Sequence, residues 1–204
     1  MGAGILPISI SNNKIHFLFG QESIFDDTQG YSDFGGGTDP GESIIQTAIR
    51  EGGEELHGFL GNKKDIADQF KKKKYYKCVF DRYTIFIILI EHDENLINYY
   101  NNHYKFLFNH IGKKEMNRIV HKYHVFEKQH IKWFSEKDIT TKNNLFRHWY
   151  RPLIKSVLKK KKDIIHFFKK NNKKFQTRKR KPKTLSNKNN IKKIKFTRKK
   201  FNLK

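Results

Sequence analysis

The chain has 204 residues, and its 43 lysine and arginine residues against 20 aspartate and glutamate residues give a net charge of +23. The length suits one domain with a buried core, and the single cysteine, Cys78, excludes an intrachain disulfide and a cysteine-built zinc site. The longest apolar run, residues 84–90, is too short to cross a bilayer, and no secretory signal opens the chain, so we expect an intracellular protein, cytoplasmic or nuclear, without a membrane span.

The N-terminal third reads as a hairpin followed by a glycine-rich loop. Residues 4–10 and 14–20 are predicted strands around the turn Ser11-Asn12-Asn13. A polar stretch then leads to the glycines at 35–37. The next four residues, Thr-Asp-Pro-Gly at 38–41, predict a loop, because Asp-Pro and Pro-Gly are turn dipeptides.

A helix is predicted from Glu42 onward, because the apolar spacing changes to a helical period. Gly58 and Gly61 are its predicted stops. The predicted buried face consists of Ile45, Ala48, Ile49, Gly52 and Leu56.

The C-terminal half mixes predicted strands and helices, so the whole reads as a mixed α/β domain. The predicted strands are residues 75–80 and 83–91, paired as a hairpin, with 119–126 and 130–134. The predicted helices are 94–111 and 145–168, and Pro152 either kinks the second or starts a new one.

The positive charge is concentrated at the C-terminus. Residues 159–204 hold 21 of the 43 basic residues and one acid, Asp163. We therefore predict a nearly neutral domain over 1–158 and a Lys-rich helix end with a largely disordered tail over 159–204. Such a tail suits RNA or another polyanion, although lysine outnumbers arginine 35 to 8, as AT-rich codon usage alone would produce.

Three carboxylates on the predicted helix carry the candidate chemistry. Glu51, Glu54 and Glu55 fall at i, i+3 and i+4, which places them on one side, largely away from the apolar stripe. Like charges at this spacing repel, and a divalent cation removes the conflict. Hard oxygen ligands suit Mg²⁺ or Mn²⁺, and Arg50 can hold one carboxylate in a fixed orientation.

The segment from Gly36 to Gly58 resembles the Nudix box, the metal-binding motif of the Nudix hydrolases. Its pattern is Gly-x5-Glu-x7-Arg-Glu-U-x-Glu-Glu-x-Gly-U, where U is a bulky aliphatic residue. Two positions depart from it: Gly52 stands at the first U, and His57 stands where the closing glycine belongs, which indicates a loosened helix. The matching residues are Gly36, Glu42, Arg50, Glu51, Glu54 and Glu55.

The resemblance implies an α/β/α sandwich around a mixed sheet and hydrolysis of a nucleoside-diphosphate-linked substrate. Metal would be held by Glu51, Glu54 and Glu55 with the Gly36 carbonyl, while Arg50 orients Glu51 and Glu42 fixes the loop. The phrase Ser-Asp-Phe-Gly-Gly at 32–36 also resembles boxes found in large DNA viruses.

A general base has to reach the attacking water. It is either a glutamate of the box or a distal acid, as in many proteins that carry this motif. Glu127 is the preferred distal candidate, Glu91 and Glu136 are the others, and a solvated surface role for Glu127 remains open.

Three functions follow as alternatives. The first is a Mg²⁺-dependent hydrolase acting on capped mRNA, with the basic tail holding the RNA. The second is a pyrophosphohydrolase acting on a nucleotide, a dinucleoside polyphosphate or an inositol pyrophosphate. The third is a non-catalytic RNA-binding module, which the two departures from the box favour.

Overall fold

The computed structural model describes residues 1–72 and 74–171. Its strands are β1 (Gly2–Ser11), β2 (Lys14–Glu22), β3 (Tyr31–Ser32), β4 (Phe34–Gly37), β5 (Tyr75–Val79), β6 (Tyr83–Leu89) and β7 (Lys128–Ser135). Its α-helices are α1 (Ile44–Glu55), α2 (Lys63–Lys71), α3 (Glu94–Tyr123), α4 (Glu136–Thr141), α5 (Arg151–Lys159) and α6 (Lys161–Asn171). Two short 3₁₀ helices, Asn143–Leu145 and His148–Tyr150, precede α5.

The strands form one mixed sheet with β1 at its centre. The central order is β3-β2-β1-β6-β5, with β4 paired to β1 and β7 paired to β2. The β1–β6 pair is parallel, and the other strand pairs are antiparallel. The β1–β4 ladder sets Gly36 opposite Ala3, so the glycine run predicted as part of a loop is a strand beside the middle of the sheet.

Both predicted hairpins are confirmed. Asn12 and Asn13 have φ angles of 49° and 61°, the pair of left-handed residues that matches a two-residue turn to the strand twist. The second hairpin pairs β5 with β6 and places Cys78 opposite Ile85.

Helices cover both faces of the sheet, so the predicted α/β/α arrangement with a mixed sheet is confirmed. Because side chains alternate along a strand, Ala3 and Ile5 of β1 pack under α1 and α2. Leu6 and Ile8 face the other way, toward α5 and α6. Helix α3 lies on the same side as α1, where Tyr100 packs beside Leu56.

The strand predicted over 119–126 is wrong, because α3 runs on to Tyr123 after a break at Gly112 (φ 76°, ψ 168°). The β-branched and aromatic residues there resemble a strand, but Met116 and Val120, one helical turn apart, are buried in a cluster with Phe126. Tertiary packing thus outweighs local β propensity.

The single long helix considered over 145–168 is instead divided. Pro152 lies in the first turn of α5, where its missing N–H costs nothing, and the helix ends at Lys159. Helix α6 buries Ile164 and Phe168 in the same cluster as Ile154 and Val157 of α5, so the apolar core continues past the predicted boundary at residue 158. The rest of the predicted tail, residues 172–204, lies outside the described residues.

Over the described ranges, no helix is both long enough and apolar enough to span a membrane.

Candidate active site

Helix α1 begins at a sharply defined point. Ser43 is its N-cap and forms a capping box with Gln46: the Ser43 amide donates to Gln46 Oε1 over 2.8 Å, and the Gln46 amide donates to Ser43 Oγ over 3.3 Å. This arrangement satisfies two backbone groups that a helix start otherwise leaves unpaired. The capping box therefore defines the residue at which α1 begins.

Arg50 connects the glycine strand, the loop and the helix. Its guanidinium donates to the Gly37 carbonyl over 2.9 Å, to Glu42 Oε1 over 2.8 Å and to Glu51 Oε1 over 2.8 Å. The hydrogen bonds from Arg50 lower the pKa of Glu42 to about 2, so Glu42 is ionised at neutral pH. These contacts put Arg50 beside Glu51 and Glu42 beside the loop.

Glu51 lies flat against the glycine strand. An ideal Cβ on Gly36 would come within 2.5 Å of Glu51 Oε1, so a side chain there would displace the carboxylate. Glu51 is only 8% exposed, and burial raises its pKa, with the charge of Glu127 adding to the effect and Arg50 opposing it.

Glu55 is buried beside a lysine. Its Oε1 is 3.1 Å from the ammonium of Lys128, and both residues are no more than 3% exposed. Lys128 also pairs with Glu22 and donates to Ser32 Oγ over 3.0 Å. Burial raises the pKa of Glu55 well above the usual range of a carboxyl, with Lys128 opposing it.

The prediction that the carboxylates point away from the buried side of α1 is wrong for two of them. Glu51 and Glu55 lie on the buried side with Ala48 and Gly52, whereas Ile45, predicted to be buried, is 39% exposed. Buried charges need partners, and here Arg50 pairs with Glu51 and Lys128 pairs with Glu55.

Glu127 completes a three-carboxylate cluster. One oxygen each from Glu51, Glu55 and Glu127 lie within 4.8 Å of one another. Glu127 immediately precedes β7, and His124 Nδ1 is 2.7 Å from its Oε1. Helix α1 and the start of β7, which are far apart in the sequence, thus bring three acidic side chains to one place.

The cluster fits a divalent cation. Glu55 Oε2 is buried and makes no hydrogen bond, an unusual state for a carboxylate oxygen in a folded protein. Glu55 also belongs to a group of hard oxygen donors, the ligand type that Mg²⁺ and Mn²⁺ prefer. The residues that would hold the ion are therefore Glu51, Glu55 and Glu127.

Glu54 lies apart from this cluster. Its Oε1 accepts from Lys63 over 2.9 Å, its Oε2 is 3.3 Å from Arg50, and its side chain is 31% exposed. Gly36, the other predicted metal ligand, is held in the β1–β4 ladder with Glu51 against it. Of the alternative distal acids, Glu136 pairs with Lys161 at the start of α4, and Glu91 is exposed after β6.

The two departures from the box have structural reasons. An ideal Cβ on Gly52 would come within 2.5 Å of Ile5 Cδ1, so glycine lets α1 approach β1 closely. Helix α1 is continuous to Glu55, so the predicted loosening is not seen. His57 has a φ of 47°, the left-handed conformation that the closing glycine would take, and its Nε2 accepts from the Phe126 amide over 2.8 Å. Burial lowers the pKa of His57 to about 4, which keeps that nitrogen unprotonated.

Several residues of the site have no sequence motif. A polar chain lies behind Glu55. It consists of the buried residues Lys128, Glu22 and Ser32 with the partly buried Arg147, which is 2.7 Å from Glu22. The one available signal is that this lysine follows the candidate acid Glu127 and lies two residues before the predicted strand 130–134. The β2–β7 register that sets Glu22 opposite Lys128 is what joins them.

No family model and no curated protein matches this sequence. Solved structures similar to this chain include an Ap4A hydrolase from C. elegans in a binary complex, with 20% identity, a TM-score of 0.32, and coverage of 46% of this chain and 67% of that one. Another C. elegans Ap4A hydrolase structure has 16% identity, a TM-score of 0.30, and coverage of 46% and 69%. The Nudix hydrolase RenU from M. smegmatis has 12% identity, a TM-score of 0.35, and coverage of 69% and 73%. Because these TM-scores are low, the chemistry of the site rests on the side chains themselves.

Proposed function

We propose that this chain is a Nudix-type hydrolase that uses Mg²⁺ or Mn²⁺ to cleave a diphosphate linkage in a nucleotide-type substrate. The observation that carries the proposal is the convergence of Glu51, Glu55 and Glu127, with a buried Glu55 oxygen left without a partner. Acids placed this way repel one another unless a cation joins them. The match of the same segment to the Nudix box supports the reaction type.

Each residue has a role in this proposal. A bound divalent cation would neutralise charge on the diphosphate oxygens and acidify an attacking water. Glu51 and Glu55 would hold the cation from α1, and Arg50 orients Glu51 through its 2.8 Å contact. Lys128 keeps the Glu55 carboxylate in place from behind, 3.1 Å from Oε1.

Glu127 is the proposed proton acceptor for the attacking water. A general base has to lie within hydrogen-bond reach of that water, and the Glu127 carboxylate stands at the cation cluster. Glu54 and the Gly36 carbonyl remain proposed as further ligands. The Lys63 partner of Glu54 is 58% exposed, and a salt bridge this exposed contributes little, so Glu54 is easily released to a cation or a phosphate.

A direct test measures product release from capped RNA, dinucleoside polyphosphates, nucleoside triphosphates and inositol pyrophosphates with Mg²⁺ and with Mn²⁺. We expect Glu55→Gln and Glu51→Gln to lower kcat at least ~100-fold. Glu115→Gln, an exposed acid on α3 paired with Arg118, is the matched control and keeps full activity. Absence of metal-dependent turnover on every substrate contradicts the proposal.

Capped RNA is the substrate that we favour, because the chain carries 21 basic residues from 159 onward. Binding of RNA by such a segment releases counterions, so it weakens steeply as salt rises. Increasing the salt concentration from about 50 to 200 mM should then raise KM for capped RNA at least ~10-fold and leave KM for a dinucleoside polyphosphate nearly constant. Equal salt effects on both substrates indicate a small-molecule pyrophosphohydrolase.

A non-catalytic RNA-binding module is the second candidate, and one observation favours it. Two glutamates of the box are already neutralised by lysines, Glu54 by Lys63 and Glu55 by Lys128. If that pairing excludes a cation, the chain should bind RNA without any turnover in Mg²⁺ or Mn²⁺.

A further inference from the structure

The loop that carries Glu127 has an unusual backbone. His124 and Phe126 have φ angles of 53° and 61°, in the left-handed region that residues other than glycine seldom adopt. Backbone of this kind persists where its surroundings hold it, and it is concentrated at functional sites. Glu127 follows these residues in the chain, and its carboxylate lies with those of Glu51 and Glu55.

His57 holds this loop from the end of α1. Its Nε2 accepts the Phe126 amide over 2.8 Å, and the two ring centroids are 4.5 Å apart. The amide that it binds precedes Glu127 by one residue. His57 is itself left-handed, with a φ of 47°, so its ring leaves the chain toward the loop and not along the helix.

Tyr100 fixes the two backbones on either side of this contact. Its buried hydroxyl lies 3.0 Å from the carbonyl of Glu55 and 2.9 Å from the carbonyl of Lys128. The rings of His57 and Tyr100 are stacked, with centroids 5.9 Å apart. The stacked rings of His57 and Tyr100 thus join the end of α1 to the start of β7. Of the two, His57 is the residue that bonds directly to the loop that carries Glu127.

We propose that His57 is a positioning residue that fixes the Glu127 carboxylate in the cation site through the amide of Phe126. The inference rests on the proposed function, since it concerns the geometry of the same site. The closing glycine of the Nudix box has no side chain and offers no such acceptor. In this chain the histidine that stands in place of the motif's glycine therefore supports Glu127, the third carboxylate of the cluster.

The rival explanation is that His57 only fills space between Tyr100 and Phe126. His57→Gly keeps the left-handed backbone free of strain and removes both the ring and the acceptor. His57→Phe keeps a ring for packing and removes the acceptor, at some cost in backbone strain because Phe adopts the left-handed conformation less readily than His. His103→Asn is the matched control, because the exposed His103 ring also contacts Phe126, with centroids 5.2 Å apart, but makes no hydrogen bond to its amide.

The experiment measures Mn²⁺ affinity of the full chain by electron paramagnetic resonance, with far-UV circular dichroism to confirm folding. The set comprises the unmodified protein, His57→Gly, His57→Phe, Glu127→Gln, the double variant His57→Gly/Glu127→Gln, and His103→Asn. We expect both His57 variants to weaken Mn²⁺ binding about 10-fold, the loss typical of a residue that supports a metal ligand. The His103 variant should bind as the unmodified protein does.

The double variant decides how His57 acts. If His57 acts through Glu127, replacing it in the Glu127→Gln background causes no further loss. Equal losses in both backgrounds, or unchanged affinity in His57→Phe, overturn the inference and leave the proposed function intact. If His57→Gly fails to fold, the affinity of His57→Phe alone decides between the two explanations. Absence of Mn²⁺ binding by the unmodified protein overturns the proposed function together with the inference.

Discussion

The two segments that supply the carboxylates are held in opposite ways. The α1 segment is organised by neighbours in sequence, as in the Arg50–Glu42 contact, which spans 8 positions. The segment at the start of β7 is held from far away: His57 lies 69 positions from Phe126, and Glu22 lies 106 positions from Lys128. The first can therefore be recognised as a motif, whereas the second exists only once the sheet has assembled.

Lys128→Met should have the largest effect on the long-range contacts that hold the start of β7. The change leaves Glu55 buried without its cationic partner and Glu22 with Arg147 alone, and an uncompensated buried charge costs about 3–5 kcal/mol. Urea unfolding should show a loss of that size in the free energy of unfolding. Lys132→Met, an exposed lysine on the same strand, should change it by less than ~0.5 kcal/mol. Equal effects of the two variants would show that the buried ion pairs do not hold the segment.

Asp33, which immediately precedes β4, has a long-range contact with Tyr83 of β6. The effect of Asp33 on the free energy of unfolding should depend on pH. Burial raises the pKa of Asp33 to about 7, while Tyr83 donates to its Oδ1 over 3.0 Å. The folded chain therefore keeps a proton that the unfolded chain releases from about pH 4 upward, and this group makes folding less favourable as pH rises from about 4 to 7.

Asp33→Asn should remove this dependence. Relative to the unmodified protein, the variant should gain on the order of 3 kcal/mol between pH 4 and pH 8, measured by urea unfolding. Asp81→Asn, whose side chain is 96% exposed, should keep a constant difference. If the difference for Asp33→Asn also stays constant with pH, folding does not raise the pKa of the Asp33 carboxyl.

Two adjacent glycines in β4 test the contacts that hold the carboxylates of the α1 segment. A methyl group on Gly36 would meet Glu51 Oε1 at 2.5 Å, whereas one on Gly37 would meet nothing within 4 Å. We expect Gly36→Ala to weaken Mn²⁺ binding about 10-fold by displacing the carboxylate, and Gly37→Ala to leave it unchanged. Calorimetric titration with Mn²⁺ provides the comparison, and similar affinities in the two variants would count against the packing of Glu51 on Gly36.

The smallest expected effect separates Gly52 from Gly53 within α1. Alanine is favoured over glycine in a helix by about 1 kcal/mol, but a Cβ at Gly52 would come within 2.5 Å of the buried Ile5 side chain. At Gly53 the nearest atom is 3.0 Å away on the flexible Lys63 side chain. Thermal unfolding should show Gly53→Ala stabilised by about 0.5 kcal/mol and Gly52→Ala destabilised by about 1 kcal/mol. A stabilised Gly52→Ala would mean that α1 does not need this close approach.

The sequence predicts the local parts of the fold well. The turn asparagines 12 and 13, the helix predicted from Glu42 onward and the hairpin of β5 and β6 depend on neighbouring residues, and each is present. The failures have a common cause. The segment 119–126 has strand-like residues, but the burial of Met116 and Val120 with Phe126 selects a helix, and that packing cannot be read from neighbours.

The same distinction between local and long-range contacts applies to the candidate site. The sequence places Glu51, Glu54 and Glu55 together by spacing, but it cannot tell which of them faces the core. In the folded chain Glu55 is buried against Lys128, whereas Glu54 is partly exposed beside Lys63. Glu127 can be named as one of several distal acids, whereas its support by His57 and Tyr100 requires the assembled sheet.

The most direct measurement is the anomalous diffraction of crystals of the full chain grown with Mn²⁺. We predict one strong peak bounded by the carboxylates of Glu51, Glu55 and Glu127, at coordination distances of about 2.1 Å. A peak confined to Glu54, or the absence of any peak near α1, would contradict the central claim that these three acids form a cation site.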